Sequence, residues 1–471
     1  MGRKDDFYVD IMSMHPGVTG SCNLVIVKLP NKETLRFVVD CGLFQEREND
    51  KLNKSFPFNA QDIQFVLITH NHVDHIGRLP LLVHEGFCKS IYTSEITSHL
   101  LPLALGDSYR VLSDVSKRKH QSCLYSADDV SRTLQLVKPV NFEETFSIGE
   151  YIKVTFLGCN GHLLGAACIL VQLSYPERED INLLFTGDYN SKNIFLDLHP
   201  IPEWILDLPL TVIQESTYGN MDSSEIVPCF RKNVVECISK GGTVVCPVFS
   251  LGRAQEALYE IKCMQDKKII DINVPVFLDG KLAIKYTGLY PKLNINEQIK
   301  EHFLPSNLTY VDKTSRDEVL QSNQCKIVLT TSGMGSYGPA QVYIPEYLSR
   351  PKALIQFMGY TAEGTLGRKM QTAQDGDFVE IGGTIIKKAA RVEYTAEFSA
   401  HGKADEMIAF LNKFNNLKLV LVNHGEPDVK VIFAERIAKE VNTKRVGILG
   451  REYFFRVTRW GLVKSLSTKF E

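Results

Sequence analysis

The segment Thr69-His70-Asn71-His72-Val73-Asp74-His75-Ile76 places three imidazoles and a carboxylate within six positions. Groups of this kind are costly to bury unless something satisfies them together. Histidines merely hydrogen-bonded on a loop are the bland alternative, and they leave the crowding unexplained. The preceding run, Phe65 to Thr69, reads as a short buried strand that delivers its C-terminal end to the cluster. Along an extended segment side chains alternate, so His70 and His72 project the same way, and Asp74 joins them while the segment stays extended. The continuation D-H-I-G-R-L-P-L-L reads as a helix start with Asp74 near the N-cap, which swings His75 toward the same opening. With no thiolate at hand, imidazoles and a carboxylate are the usual zinc donors, and four of them suffice to begin two neighbouring sites.

At 471 residues the chain exceeds what one hydrophobic core usually organises, so it is expected to hold two domains or one domain with a large insertion. With 44% hydrophobic and 23% charged residues it reads as a globular enzyme rather than a fibrous or disordered chain. Apolar runs are too short to span a bilayer and the N-terminus carries no apolar signal core, so a cytoplasmic protein without membrane partners is expected. Eleven cysteines without a C-x-x-C pair fit neither a disulfide framework nor a thiolate zinc site, and read as reduced. The net charge of −2 decides nothing about nucleic acid, because phosphate is bound by a local basic patch.

Along the chain, Leu24 to Leu29 and Leu35 to Asp40 flank the turn-like P-N-K-E and predict a hairpin. From Ser94 to Lys138 the periodicity is helical and the charged run is read as a solvated face. Strand signals return at Ile152 to Leu157, Ala167 to Leu173 and Ile181 to Thr186. Between about Thr211 and Ile386 apolar runs alternate with Gly-rich turns and helical stretches, which predicts a parallel α/β sheet with ligand contacts at its strand C-terminal ends. From Arg391 the order is strand, helix (Lys403 to Phe414), strand (Leu417 to Asn423), helix (Val429 to Val441).

Six of the twelve histidines, His70, His72, His75, His162, His401 and His424, sit where a predicted strand ends. His15, His84, His99, His120, His199 and His302 have no such setting and read as surface or internally satisfied. G-H-L-L-G (His162), T-G-D-Y-N (Asp188) and V-N-H-G-E (His424) follow predicted strands, and D-C-G (Asp40) precedes the cluster.

This ordered series resembles the metallo-β-lactamase superfamily, and specifically its β-CASP branch of nucleic-acid-processing enzymes, over nearly the whole chain. Asp40 matches the first superfamily motif, His70, His72, Asp74 and His75 the second, His162 the third and Asp188 the fourth. Glu215 in Q-E-S-T-Y-G, His401 in F-S-A-H-G and His424 in V-N-H-G-E look like the branch's three further motifs. The resemblance implies an α/β fold: an αββα sandwich (1–215 and 391–471) with an inserted parallel α/β β-CASP domain (216–390). It implies two zinc ions per chain, one held by His70, His72 and His162, the other by Asp74, His75 and His424, with Asp188 bridging. Two such cations sharing a hydroxide supply a nucleophile and neutralise charge on an in-line phosphate displacement. Asp40 would orient ligands from behind. His401, not needed as a ligand, would pair with Glu215 as general acid, and Asp74 counts among the catalytic carboxylates as well as the ligands.

Within the resemblance His424 favours RNA, since branch members acting on RNA carry His at that motif whereas the DNA-repair members carry a small apolar residue. The expected activity is hydrolysis of single-stranded RNA, internally and also by 5′ trimming. A DNA nuclease or other phosphodiesterase, and a silent RNA-binding scaffold, are the alternatives; the scaffold predicts eroded ligands. P-V-F-S-L-G-R (Arg253), T-T-S-G-M-G-S (Ser332, Gly333) and A-E-G-T-L-G-R (Gly364, Thr365, Arg368) offer phosphate-binding turns after strands, although tight-turn packing is the commoner reason for such glycines. Gly280-Lys281 stands where relatives usually show Ser-Pro, and His15-Pro16 replaces a small-residue approach to V-T-G-S. A homodimer is expected only by analogy with such relatives.

Overall fold

Short apolar strands joined by tight turns bury both faces only when sheet stacks on sheet and helices cover the outside. In the computed structural model, which describes residues 8–29, 33–174, 180–293, 295–300, 302–359, 361, 364–458 and 464–467, the first compact unit does this. That unit comprises residues 1–193, 198–223 and 401–471.

One sheet runs in the order Lys464–Ser467, Tyr453–Val457, Tyr8–Ser13, Asn23–Lys28, Thr34–Val39, Ile63–Ile68, Ser90–Ser94, Val137–Val140. The other runs Val446–Ile448, Leu417–Val422, Leu210–Gln214, Ile181–Phe185, Cys168–Leu173, Ile152–Leu157, Thr145–Ile148. Val25, Phe37 and Phe65 of the first sheet pack with Val154, Ile169, Leu183 and Leu421 of the second in a shared core. Phe37 and Phe65 stack with ring centroids 4.6 Å apart. Each fully buried ring of this kind contributes about 2–3 kcal/mol. Helices Leu79–His84, Glu95–Lys119 and Ala127–Gln135 cover one outer face, and Ala404–Leu411 and Pro427–Glu440 the other. The layering is the αββα sandwich the resemblance implies. Asn23–Lys28 and Thr34–Val39 pair antiparallel as the predicted hairpin, whose turn residues 30–32 lie outside the described residues.

The second unit comprises residues 194–197 and 224–400. Its sheet has the order Leu308–Val311, Val276–Asp279, Lys326–Thr330, Thr243–Pro247, Leu354–Met358, Arg391–Thr395, all parallel. The strands Thr243–Pro247, Lys326–Thr330 and Leu354–Met358 are buried at every position, which is why they read as continuous rather than alternating apolar runs. One assignment differs from the sequence reading. Arg391–Thr395, expected to begin the return to the sandwich, is instead the edge strand of this sheet, paired with Leu354–Met358. Leu210–Gln214, where the apolar alternation begins, belongs to the sandwich, within the stretch 1–215 assigned to it. Period-2 patterning identifies a strand without saying which sheet it joins.

All eleven cysteines are free. Among the described residues no helix is long and apolar enough to cross a membrane.

Candidate metal centre

The donor residues of the first unit come from strand C-terminal ends and the turns after them. Ile63–Ile68 leads into His70 and His72, and His72 is the N-cap of a one-turn helix, Val73–Ile76. Asp74 therefore lies near the cap, in the first helical turn, and His75 follows it. His162 lies in the turn between Ile152–Leu157 and Cys168–Leu173, Asp188 just after Ile181–Phe185, and His424 after Leu417–Val422. Two glycines make the convergence possible: a Cβ on Gly42 would lie 1.5 Å from the Asp74 carbonyl oxygen, and one on Gly187, at φ +58°, 2.7 Å from the Thr69 side chain. Asp40 and His424 occupy the left-handed region at φ 63° and 41°. Such positions cost a non-glycine residue about 1–2 kcal/mol, which the surrounding packing must impose.

Asp188, 2% exposed, organises the donors. Its Oδ2 lies 3.6 Å from both His70 Nε2 and His162 Nε2, and His162 Nε2 is 3.0 Å from His72 Nδ1. Its Oδ1 lies 3.2 Å from His75 Nε2 and 3.3 Å from His424 Nδ1, with Asp74 Oδ2 3.9 Å from His75 Nε2 and 4.0 Å from His424 Nε2. Three groups of donor atoms lie within 4.8 Å of one another: His70, His72, His162 with Asp188, then Asp74, His75, His424 with Asp188, and Glu215, His401 with Asp188. Asp40 sits behind them: its Oδ2 is 2.8 Å from His75 Nδ1, and its Oδ1 accepts from the Thr69 amide at 2.8 Å. A proton on His75 Nδ1 is thereby turned toward Asp40, which leaves Nε2 directed at Asp188.

The buried His70, His75 and His424 Nε2 atoms and Asp188 Oδ1 make no hydrogen bond. Unsatisfied buried polar atoms are rare and costly, and four in one place indicate a common partner. Burial raises the Asp188 carboxyl, yet His424 and His75 outweigh it and hold the group well below the usual carboxylate range. Burial lowers His70 well below its ordinary value, favouring the neutral imidazole that ligates a metal. An imidazole and carboxylate donor set suits a divalent cation such as zinc.

Beside this centre, His401 Nδ1 is 3.1 Å from both oxygens of Glu215, and His401 Nε2 is 3.9 Å from Asp188 Oδ2. Glu215, 2% exposed, also accepts from the Tyr189 amide at 2.5 Å and the Thr217 amide at 3.1 Å. Burial alone would lower the His401 pKa; the Glu215 carboxylate reverses this and raises it above the ordinary value.

His15, read from sequence as unremarkable, is fully buried, with Nδ1 2.9 Å from Ser13 Oγ and its ring 5.7 Å from that of His424. Thr217 Oγ1 lies 3.2 Å from His424 Nδ1, and Asn160 ties the His162 and Asp188 turns together. The only sequence signal for His15 was its position just before the V-T-G-S stretch.

In the second unit the six residues singled out for phosphate follow the neighbouring strands Thr243–Pro247, Lys326–Thr330 and Leu354–Met358, with Arg253 opening the helix Arg253–Asp266 and Arg368 inside the helix Leu366–Thr372. The Leu366 amide donates to Ser336 Oγ at 3.1 Å, and a Cβ on Gly333 would meet Phe249 at 2.8 Å. Thr365 caps the helix Leu366–Thr372, its side chain accepting from the Arg368 amide, while Gly364 and Arg368 are exposed. Arg253 is 6% exposed, its Nη1 is engaged by Glu256, and its buried Nε makes no hydrogen bond.

Three family models match successive parts of the chain: the metallo-beta-lactamase superfamily at residues 17–165, the Beta-Casp domain at 254–370, and the Zn-dependent metallo-hydrolase RNA specificity domain at 385–447. The chain belongs to the β-CASP branch of the metallo-β-lactamase superfamily. A ribonuclease of Thermus thermophilus is 29% identical over 91% of this chain and 96% of its own length. The transcription termination factor FttA of Methanococcus maripaludis is 31% identical over 83% of this chain, which spans 63% of that longer protein. A crystal structure of an Enterococcus faecalis protein of unknown function shares the fold at a TM-score of 0.51 and 12% identity, covering 98% of this chain and 100% of the other. Within this β-CASP protein the matched superfamily region contains His70, His72, Asp74, His75 and His162, while Asp188, Glu215, His401 and His424 lie beyond it.

Proposed function

We propose that this protein is a zinc-dependent ribonuclease that hydrolyses single-stranded RNA, cutting internally and also trimming from the 5′ end. The observation that carries the reading is the split of Asp188, one oxygen facing His70 and His162 and the other His75 and His424, with His401 and Glu215 adjacent. Two zinc ions, when bound, lower the pKa of water and offset charge on the phosphate. His70, His72 and His162 would hold one, and Asp74, His75 and His424 the other, with Asp188 shared. Asp40 keeps His75 oriented. In the reaction a water gives one proton to bulk solvent, the resulting hydroxide oxygen bonds to phosphorus, the bond from phosphorus to the 3′ oxygen breaks, and His401 Nε2 gives its proton to that oxygen. The products are a 5′-phosphate and a 3′-hydroxyl.

His424 supports RNA over DNA, as does the match of residues 385–447 to a domain described by RNA specificity. The relative named a ribonuclease supports it further. The turns bearing Arg253, Ser332, Gly333, Gly364, Thr365 and Arg368 would carry backbone phosphates. A homodimer and a cytoplasmic setting belong to the same proposal by analogy.

The test is a denaturing gel of 5′-labelled single-stranded RNA beside DNA of the same sequence, with chelated and zinc-reconstituted protein. Internal RNA fragments that appear only with zinc are expected, with a 5′ mononucleotide marking the trimming mode. Equal cutting of DNA, or no cutting by zinc-loaded protein, contradicts the reading.

A further inference from the structure

Lys403 lies two residues beyond His401 and has no task in the chemistry above. It is 2% exposed, an unusual state for lysine. Its ammonium sits 3.7 Å from the centroid of the Tyr218 ring, and Nζ donates to the His401 carbonyl at 3.2 Å. Tyr218, 6% exposed, lies three residues after Glu215 and meets the His401 imidazole edge-on, with ring centroids 6.2 Å apart. Between them the Gly402 amide donates to the Tyr189 carbonyl at 2.7 Å, and the Tyr189 amide donates to Glu215 Oε1. The turn carrying His401 is therefore held from two sides: Glu215 grips the imidazole, and the lysine on its aromatic seat grips the main chain.

We propose that Lys403, anchored on the Tyr218 ring, is a positioning residue that fixes the backbone of His401 so that its imidazole reaches the leaving oxygen. The inference rests on the reading of His401 as proton donor. A desolvated ammonium gains most from an aromatic face and from a carbonyl, because no water competes for it. Proton transfer needs heavy atoms within hydrogen-bond reach, and a displacement of about 1 Å costs roughly 10²-fold in rate. Glu215 orients the ring about its own bonds and the Gly402 amide ties the next peptide to Tyr189, while the lysine ammonium holds the carbonyl of His401 itself.

The experiment compares RNA, whose 3′ oxygen needs a proton to depart, with bis(4-nitrophenyl) phosphate, whose nitrophenolate departs without one. The zinc-loaded full chain carries Lys403→Met, Lys403→Arg, Tyr218→Leu, Tyr218→Phe or His401→Ala. Lys403→Met and Tyr218→Leu are expected to lower kcat on RNA roughly 10- to 100-fold with KM and metal content kept, and to leave the aryl ester within about twofold. Lys403→Arg and Tyr218→Phe, which retain cation and ring, are expected to keep most of the activity on both. Lys403→Met with wild-type turnover of RNA, or with equal losses on both esters, overturns the inference. If His401→Ala spares the aryl ester while Lys403→Met does not, only the inference falls. If His401→Ala loses equally on both, the proton-donor reading falls and takes the inference with it.

Discussion

Glu215 makes hydrogen bonds to the Tyr189 and Thr217 amides and still presents both oxygens to His401, so its carboxylate is fixed before any substrate arrives. Burial works against a protonated His401, and Glu215 overrides it, raising the pKa. The acid form needed to protonate a leaving oxygen then persists to higher pH, and activity is lost as pH rises through that raised value. Glu215→Gln removes the charge that does the raising. The alkaline limb of the rate profile is expected to move to lower pH, with kcat falling about 10²-fold; an unmoved limb contradicts the pairing. At this scale the H-x-H-x-D-H cluster was legible because its chemistry is local: groups that demand a shared partner stand side by side. His15 was not, since its burial against His424 is decided by residues some four hundred positions away. Arg253 shows the converse, for a guanidinium at a strand end invites a phosphate reading while Glu256, three residues on, already engages it.

Elements place these residues through their ends. Asn160, 1% exposed, donates to the carbonyls of Thr186 at 2.9 Å and Asp188 at 2.6 Å, and accepts from the His162 amide at 2.9 Å and the Asn190 amide at 3.3 Å. One side chain thus ties the turns that follow Ile152–Leu157 and Ile181–Phe185, the two strands flanking Cys168–Leu173, and sets the distance between two donors. Asn160→Ala leaves buried carbonyls and amides without their partner and is expected to cost about 3 kcal/mol, read by denaturant unfolding, together with weaker metal binding. A loss under about 1 kcal/mol with metal affinity unchanged would remove Asn160 from this role. The strands themselves were readable because apolar runs bounded by glycine and polar turns have few other uses. Membership was harder: Arg391–Thr395 joins the inserted sheet by pairing with Leu354–Met358, a partner chosen by topology that no local pattern encodes. The helix after the cluster begins at Val73, with His72 in the extended cap conformation and Asp74 two residues beyond it.

For the whole molecule, the alternation between Thr211 and Ile386 announced a parallel sheet; five of its six parallel strands lie in that interval, and Arg391–Thr395 is the sixth. The sandwich that holds every proposed ligand is assembled from three separated stretches of chain, so the site exists only once His424 and His401 have returned to the strands of the first half. That assembly brings seven donors into two sets that share Asp188, beside a third group of Asp188, Glu215 and His401, in which the account gives His401 the proton and not a metal. Native mass spectrometry of the zinc-reconstituted full chain, with Asp188→Ala and His401→Ala beside it, measures this directly. Two zinc ions are expected on the wild-type chain, fewer on Asp188→Ala, and two on His401→Ala. A wild-type chain holding fewer than two, or a His401→Ala chain that sheds zinc, would contradict a dinuclear centre with a proton donor standing apart from its metals.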